Sequence, residues 1–238
     1  MFDPEGPTFL ELAAQALSST ERGYDMIAPR FDATPFRTPD ALLAPMAEAL
    51  GRDGPVDHGL DVCCGTGAVL SHLRPLCAVS VTGLDLSAGM LAVARERLAD
   101  ARGEAEVRLV QGDALAMPFD REFDLAATCG ALGHFERHQH DALIGGVFRA
   151  LKPGGRFACI ARRPLTPRER TWWAYRGFNA VMRVRNALLK PPFIMYYLHF
   201  DIHRALDVLT RQGFQVEVET PFALPHDAFR LVIGTRPG

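Results

Sequence analysis

The sequence has few lysines and tryptophans, no long apolar run and no excess of charge. Of its 26 basic residues only Lys152 and Lys190 are lysines, and 28 acidic residues bring the net charge to −2. A balance this close to zero argues against nucleic acid as a partner, because proteins that bind it usually carry a basic surface. No apolar run approaches the roughly 18 residues of a membrane-spanning helix, and the first residues lack the pattern of a secretion signal. We therefore expect a cytoplasmic protein.

The chain also lacks the spacing of a disulfide framework or a zinc site. It has five cysteines but no C-x-x-C pair, and an odd set without such a pair favours neither use. His199 and His203 stand four residues apart, on one face of a helix. However, Phe200 takes the place of the glutamate in the zinc motif His-Glu-x-x-His. We predict no metal site.

What is present is the composition of an ordinary globular domain. The 238 residues are 48% hydrophobic and 23% charged, and a chain of this length buries about 70–75% of the surface that its unfolded form exposes. Short apolar segments alternate with helical patterns, which predicts a doubly wound α/β sheet of parallel strands. The predicted strands are residues 59–64, 79–84, 106–111, 123–128 and 156–161. The predicted helices include residues 8–28, 38–51, 138–151 and 201–212, with Thr38 and Ser87 as candidate N-caps.

The second half of the chain departs from this alternation. Residues 165–200 are rich in aromatic side chains and show no strand pattern, which indicates a helical insertion. Two further strands, 214–219 and 228–234, are separated by a link of eight residues. A parallel crossover needs a dozen or more residues, so we expect these two strands to pair antiparallel. The prediction is a seven-stranded, Rossmann-like sheet with an antiparallel final strand, N-terminal helices and a helical lid insertion.

Candidate ligand-binding residues stand at the ends of three successive strands. The first strand runs into Asp61-Val-Cys-Cys-Gly-Thr-Gly67, where glycines permit a tight turn and a close approach of a ligand. Asp85 ends the second strand, where a carboxylate can accept hydrogen bonds from ribose hydroxyls. Asp113 ends the third strand and could accept from an adenine amine. A plain turn or a helix-start acid would explain each feature singly, but their coincidence favours a nucleoside site.

The glycine pattern bears on which nucleoside is bound. A dinucleotide fingerprint would place Gly or Ala at position 70, which is Leu70 here, and no P-loop lysine follows the glycines. Both features weaken the interpretation of the loop as a pyrophosphate or triphosphate site.

Taken together, these segments resemble the class I S-adenosylmethionine-dependent methyltransferases. The matching stretches are residues 60–67, 83–91, 111–119, 123–125 and 151–156. The pattern Tyr24-x-x-x-Ala28-x-x-Phe31-Asp32 is similar to the entry segment of the small-molecule branch, which includes the quinone-biosynthesis C-methyltransferases. Cys63 departs from the family, which usually has glycine there, and we expect its backbone to avoid positive φ.

The resemblance implies how S-adenosylmethionine would be held. Asp61, Gly65 and Gly67 would surround its methionine part, and Asp85 would bind both ribose hydroxyls. Leu86 would pack on the adenine, Asp113 and Ala114 would recognise its edge, and the backbone of Cys129 and Gly130 would contact the methionine amino group. The other implied contacts are Tyr24, Cys63, Thr66, Met90 and Gly112. None of these does chemistry, because methyl transfer from a sulfonium chiefly requires in-line positioning and exclusion of water.

The segment after the fourth strand narrows the class of acceptor. This segment, Thr128-Cys-Gly-Ala-Leu132, lacks the Asn/Asp-Pro-Pro-Tyr/Phe motif of amino-methylating DNA enzymes, and no Pro-Cys nucleophile is present. We expect a small-molecule or lipid-like acceptor. His134 lies in the loop that faces the methyl group in such folds and is the candidate general base; alternatively it only shapes the pocket.

The insertion is the most charged part of the chain. Residues 162–190 contain eight basic residues and one acidic residue, a net charge of +7. Such a segment can meet an anionic membrane surface or an acidic substrate, or it can be a solvated lid. The residues predicted to contact the acceptor are Trp172, Trp173, Tyr175, Tyr196, Tyr197 and His199.

The sequence therefore predicts a single domain over residues 1–238 with four segments. These are an N-terminal helical segment (1–52), a cofactor-binding core (53–162), the lid (163–200) and a C-terminal helix with antiparallel strands (201–238). A methyltransferase is the favoured function, because the glycine loop and both strand-end acids are complete. A catalytically inactive binding module with the same fold and an NAD-dependent enzyme are the alternatives.

Overall fold

A computed structural model describes residues 6–222 and 228–238. The strands are β1 (Val56–Val62), β2 (Cys77–Asp85), β3 (Glu106–Gln111), β4 (Phe123–Thr128), β5 (Leu151–Arg162), β6 (Gln215–Glu219) and β7 (Phe229–Thr235). The α-helices are α1 (Phe9–Leu17), α2 (Thr20–Ile27), α3 (Asp40–Leu50), α4 (Ala68–Leu73), α5 (Ala88–Ala99), α6 (His140–Ala150), α7 (Arg170–Leu188) and α8 (Ile202–Arg211).

The seven strands form one sheet in the order β3-β2-β1-β4-β5-β7-β6. The pairs among β1 to β5 are parallel, whereas β7 runs antiparallel to both of its neighbours, β5 and β6. This confirms the predicted doubly wound sheet with an antiparallel final strand. Because the strand order reverses between β1 and β4, a crevice opens beyond their carboxyl ends, where α/β sheets bind ligands.

Helices cover both faces of the sheet. One core cluster packs α6 and α8 against the sheet through residues such as Ile144, Val147 and Leu209. The other includes Met46 of α3 and Leu70 of α4, together with residues of α5. The central strand β4 is fully or nearly fully buried over Leu125–Thr128. This three-layer core fixes the strand ends that carry the site.

The predicted helix 8–28 is wrong in one respect, because it is two helices. Thr8 and Glu11 form a capping box at the start of α1. The Ser19 side chain then accepts a hydrogen bond from Arg22 N (3.1 Å) and starts α2. A serine N-cap satisfies a backbone donor that a continuous helix would bond itself, so the chain turns at Ser18.

Two smaller predictions also differ from the structure. Thr38 does not cap α3, which begins at Asp40 with Pro39 in the N-cap position and no side-chain cap bond. The strand β5 starts at Leu151 and runs through Pro153-Gly154-Gly155, which were predicted to separate a helix from a strand. A register shift between its pairings with Phe123 and Leu125 accommodates the extra residues.

The insertion and the N-terminal helices form one cover over the carboxyl ends of the strands. Arg185 of α7 donates to the carbonyl oxygen of Ser18 (2.7 Å), and Ile194 N donates to the Thr20 hydroxyl (3.0 Å). Gly23 lies directly beneath the Phe193 ring, where a Cβ would come within 2.8 Å of that ring. Among the described residues, no helix has the length and apolar character to cross a bilayer.

Candidate active site

A cavity of about 580 Å³ lies beyond the carboxyl ends of the central strands, beneath this cover. Most of the predicted cofactor contacts line it: Tyr24, Cys63, Gly65, Thr66, Asp85, Leu86, Met90, Gly112, Asp113, Ala114, Cys129 and Gly130. The topology thus brings three strand ends, the segment after β4 and the N-terminal helices to one space. Asp61 and Gly67 are the predicted contacts that do not line it.

The loop after β1 is built from residues in the left-handed region. Cys63, Gly65 and Gly67 have φ values of 61°, 52° and 80°. The expectation that Cys63 avoids positive φ is therefore wrong, and the loop holds this non-glycine residue in a conformation that costs free energy. A Cβ on Gly65 would meet no described residue within 4 Å, whereas one on Gly67 would lie 3.1 Å from the Ala94 Cβ. Gly65 thus leaves space for a ligand, and Gly67 lets α5 pack closely.

Asp85 organises the same loop from the end of β2. Its Oδ2 accepts a hydrogen bond from Gly65 N (2.8 Å), and its Oδ1 accepts one from Ser87 N (2.9 Å). A carboxylate offers about four lone-pair sites, so these two bonds leave acceptor capacity for ribose hydroxyls. Burial raises the pKa of Asp85 above its ordinary value, and the backbone hydrogen bonds oppose that shift.

Asp61 is placed differently from its predicted role. Its side chain is fully buried within the core, and neither carboxylate oxygen has a hydrogen-bond partner of ordinary geometry in the described part of the chain, although the Leu70 N–H faces it. Burial and the negative charge of Asp85 raise its pKa well above the usual range for aspartate. Asp61 therefore does not line the cavity.

Tyr24 and His134 form a hydrogen-bonded pair in the cavity wall. The Tyr24 hydroxyl lies 2.9 Å from His134 Nε2, and His134 Nδ1 lies 2.7 Å from the carbonyl oxygen of Ile194. A carbonyl can only accept, so Nδ1 carries the proton and Nε2 accepts from the Tyr24 hydroxyl. Burial lowers the pKa of His134, which keeps it neutral, and raises the pKa of Tyr24.

The predicted acceptor contacts divide into two groups. Tyr175, Tyr196 and Tyr197 line the cavity, and the rings of Tyr175 and Tyr197 stack with centroids 4.5 Å apart. Trp172, Trp173 and His199 do not line it.

The three excluded residues each have a position elsewhere. Trp173 is 61% exposed and donates to the carbonyl oxygen of Pro167. Trp172 lies beneath the guanidinium of Arg176. His199 is buried against Tyr196, with ring centroids 4.5 Å apart, and accepts from Arg183 (3.0 Å).

Two aspartates that the sequence prediction missed tie the N-terminal helices to the cofactor side. Asp25 Oδ1 accepts from the Ser87 hydroxyl (2.5 Å) and from Gly89 N (2.9 Å), at the start of α5. Asp32 accepts from the Thr66 hydroxyl (2.8 Å) and forms an ion pair with Arg97. Asp32 belongs to the entry-segment pattern, so the signal was present, but its partners are distant in sequence.

Comparison with known proteins places this site in a family. A family described as "Methyltransferase domain" matches residues 60–155. The demethylmenaquinone methyltransferase of Thermus thermophilus is 32% identical over 232 residues, which cover 90% of this chain and 100% of that protein. The chain belongs to the class I S-adenosylmethionine-dependent methyltransferases. A second relative, the demethylmenaquinone methyltransferase of Lactococcus lactis, is 38% identical over 106 residues, which are 42% of this chain and 40% of that protein. The solved structure of the DhpI–SAH complex shares the fold, with a TM-score of 0.64, 24% identity, and coverage of 97% of this chain and 99% of that one.

The cofactor of this methyltransferase family is S-adenosylmethionine, and the residues of the cavity fit it. Gly65 leaves open the space that a side chain would fill, and Asp85 keeps free acceptor sites beside it. Asp113 is exposed at the end of β3, where its Oδ1 accepts from Leu115 N (2.9 Å) and its other oxygen remains available. These acceptors match the donors of a nucleoside.

Proposed function

We propose that this protein transfers the methyl group of S-adenosylmethionine to a small-molecule or lipid-like acceptor by in-line displacement. The observation that carries the proposal is the continuity of the cavity. One space is lined both by the cofactor side, with Gly65 and Asp85, and by the Tyr24–His134 pair with the tyrosines of the lid. A cofactor and an acceptor held in one cavity gain the rate advantage of proximity.

The chain's own residues position the reactants and exclude water. When bound, the cofactor supplies a methyl group activated by the positive charge of its sulfonium. Asp85 and the backbone around Gly65 orient the nucleoside, while Tyr196 and Tyr197 line the cavity on the lid side. A largely apolar wall strengthens electrostatic interactions and reduces the access of water as a competing nucleophile.

Tyr24 and His134 supply a path for a proton. If the methylated atom carries one, the Tyr24 oxygen takes it while its own proton passes to His134 Nε2, along the 2.9 Å hydrogen bond. His134 is held for this by the Ile194 carbonyl, which fixes its tautomer. His134 then acts as a base through Tyr24, since Nε2 is already occupied by that hydroxyl.

The cavity wall favours an acceptor with a flat, apolar body. The stacked rings of Tyr175 and Tyr197 form one wall, and aromatic walls contribute large apolar contact areas. The Thermus and Lactococcus relatives are named for demethylmenaquinone. We extend to this chain the class of molecule, a planar or lipid-like acceptor, rather than that compound.

The outer face of α7 supports contact with an anionic membrane. Four residues spaced along one face, Trp173, Val181, Val184 and Leu188, are 61%, 65%, 60% and 76% exposed. Gly177, Ala180 and Ala187 are also exposed on that helix. Such a face on an interfacial helix buries well in the lipid boundary.

The charges around this apolar face fit anionic lipid. The exposed basic residues near it are Arg168, Arg170, Arg176, Arg183 and Lys190. The one acidic residue of the segment, Glu169, is already paired with Arg163. A second copy of the chain is the less favoured occupant, because a symmetric contact would bring two such basic borders together.

Methyl transfer is tested with purified protein, labelled S-adenosylmethionine and a metabolite extract. We expect a product heavier by one methyl group that forms with wild-type protein but not with a heat-inactivated control. Calorimetric titration with S-adenosylmethionine and with NAD separates the alternatives. Cofactor binding without any methylated product favours the inactive module, and binding of NAD alone favours an NAD-dependent enzyme.

Membrane contact is tested with vesicles of phosphatidylglycerol and phosphatidylcholine. We expect Val184→Glu and Leu188→Glu to reduce flotation with these vesicles, while Val218→Glu, at a valine 43% exposed on β6, does not. Arg185 is unsuitable for a charge reversal, because it is buried and bonds Ser18. Equal flotation of all variants, or self-association that both α7 variants abolish, would refute the membrane contact.

A further inference from the structure

Arg162 places a cation in the wall of the cavity. It is the last residue of β5 and stands two residues after Ile160, so both side chains leave the strand on the same face. Both residues line the cavity. The position follows from β5 running three residues past the end of its pairing with β4 while it continues to pair with β7, where Arg162 aligns with Phe229.

The charge of Arg162 has no acidic partner among residues 6–222 and 228–238. Its Nη1 donates to the Tyr175 hydroxyl (3.3 Å), and its Nε–H is buried with no hydrogen-bond partner within those residues. A half-buried cation with an unpaired donor is costly. The guanidinium lies 5.7 Å from the ring centroids of both Tyr175 and Phe229, which offsets part of that cost.

Tyr175 adds a second donor next to this cation. Its oxygen accepts from Arg162, so its own O–H proton remains free to be donated. Its ring stacks on Tyr197 with an interplanar angle of 18°, which presents a flat surface beside the charge. The local arrangement is therefore a cation, a hydroxyl donor and an aromatic wall.

We propose that Arg162 and Tyr175 form a binding subsite for an anionic oxygen of the acceptor, a carboxylate or a phenolate attached to an aromatic ring. The ring lies against the wall of Tyr175 and Tyr197, and the oxygen receives hydrogen bonds from the guanidinium and the Tyr175 hydroxyl. The inference rests on the proposed function for its use in catalysis, and it narrows the acceptor class to acidic aromatic molecules.

The test uses two probe anions that need no turnover. In the presence of S-adenosylhomocysteine, 4-nitrophenol is titrated at a pH where the free dye is mostly neutral, and benzoate is titrated by calorimetry. We expect wild-type protein to bind the phenolate in preference to the phenol, which appears as a gain of visible absorbance. Arg162→Gln should weaken the binding of both anions at least tenfold, since hydrogen bonds to charged groups are being removed. Arg162→Lys keeps the positive charge but not the planar set of guanidinium donors, so it should weaken anion binding less than Arg162→Gln does.

Arg176→Gln is the matched control, because it removes the same charge from an exposed position that does not line the cavity. Its anion binding should equal that of wild-type protein. Unchanged affinity for S-adenosylhomocysteine shows that each variant retains its fold. Any of three results would overturn the subsite. They are equal binding of phenol and phenolate, an equal loss of anion affinity in Arg162→Gln and Arg176→Gln, and no binding of either anion to wild-type protein. Anion binding that depends on Arg162 without methyl transfer to any acceptor would instead refute the proposed function and leave the subsite standing.

Discussion

Replacing Asp85 is the sharpest test of how the cofactor is held. In the structure this carboxylate accepts from Gly65 N and Ser87 N and has acceptor capacity left beside the cavity. Asp85→Ala removes the bonds that shape the glycine loop and also the acceptors for the ribose. Asp85→Asn should weaken cofactor binding nearly as much, because one of its amide hydrogens would face a backbone N–H.

The expected magnitude follows from the number of bonds lost. Two ribose hydroxyls bound to an ionised carboxylate contribute about 1.5–3 kcal/mol each. Their loss weakens binding by about 3–6 kcal/mol, or roughly a hundredfold to ten-thousandfold, at about 1.4 kcal/mol per tenfold. Asp113→Ala is the comparison variant and should weaken cofactor binding less, because Asp113 is exposed.

Calorimetry with S-adenosylhomocysteine measures this effect, and an analogue that lacks both ribose hydroxyls separates its two origins. Wild-type protein should bind the analogue much more weakly than S-adenosylhomocysteine, whereas Asp85→Ala should bind both with similar affinity. Since the pKa of Asp85 is raised, binding should weaken with falling pH sooner than an ordinary aspartate would cause. Folded Asp85→Ala protein with undiminished affinity would show that the ribose lies elsewhere.

Three further predictions concern the residues around this centre. Tyr24→Phe should lower kcat tenfold or more, as expected when a positioned proton acceptor is lost, with little change in cofactor affinity; an unchanged kcat in steady-state assays would exclude the relay to His134. Cys63→Gly should raise the free energy of unfolding by about 1 kcal/mol, because glycine adopts the left-handed backbone without strain. A lower free energy of unfolding in urea denaturation would contradict this prediction. Because the folded-state pKa of Asp61 is raised, its contribution to stability should fall as pH rises above about 4, the value in the unfolded chain. Asp61→Asn should flatten the pH dependence of the free energy of unfolding above that pH, and an unchanged slope would mean that Asp61 is not the cause.

Much of the fold could be predicted because local patterns agreed with the final packing. The strands at 106–111 and 123–128 match the structure residue for residue, since each is a short apolar segment between turn residues. The break between α1 and α2 was missed because the helical pattern of residues 9–17 was extended across residues 18–23, which contain no large apolar side chain. A serine pair before an acidic first turn was the available signal.

The orientation of the lid helix α7 could not be predicted from the sequence alone. Adjacent helical residues point about 100° apart, so Trp172 and Trp173 could not both face the cavity, and nothing local sets the rotation of α7. The rotation is set by distant contacts, such as Arg185 with Ser18. The same holds for Arg162, whose neighbours Tyr175 and Phe229 come from α7 and β7.

The joining of α7 to the N-terminal helices has a kinetic consequence. Asp25 and Asp32 hydrogen-bond the N-terminal segment to residues on the cofactor side. Arg185 and Ile194 hydrogen-bond the lid to that segment. Neither cover can swing outward alone without breaking hydrogen bonds to the other. We therefore expect the two segments to move together, so that one motion on this side of the cavity would serve both the release of the spent cofactor and the entry of the next acceptor.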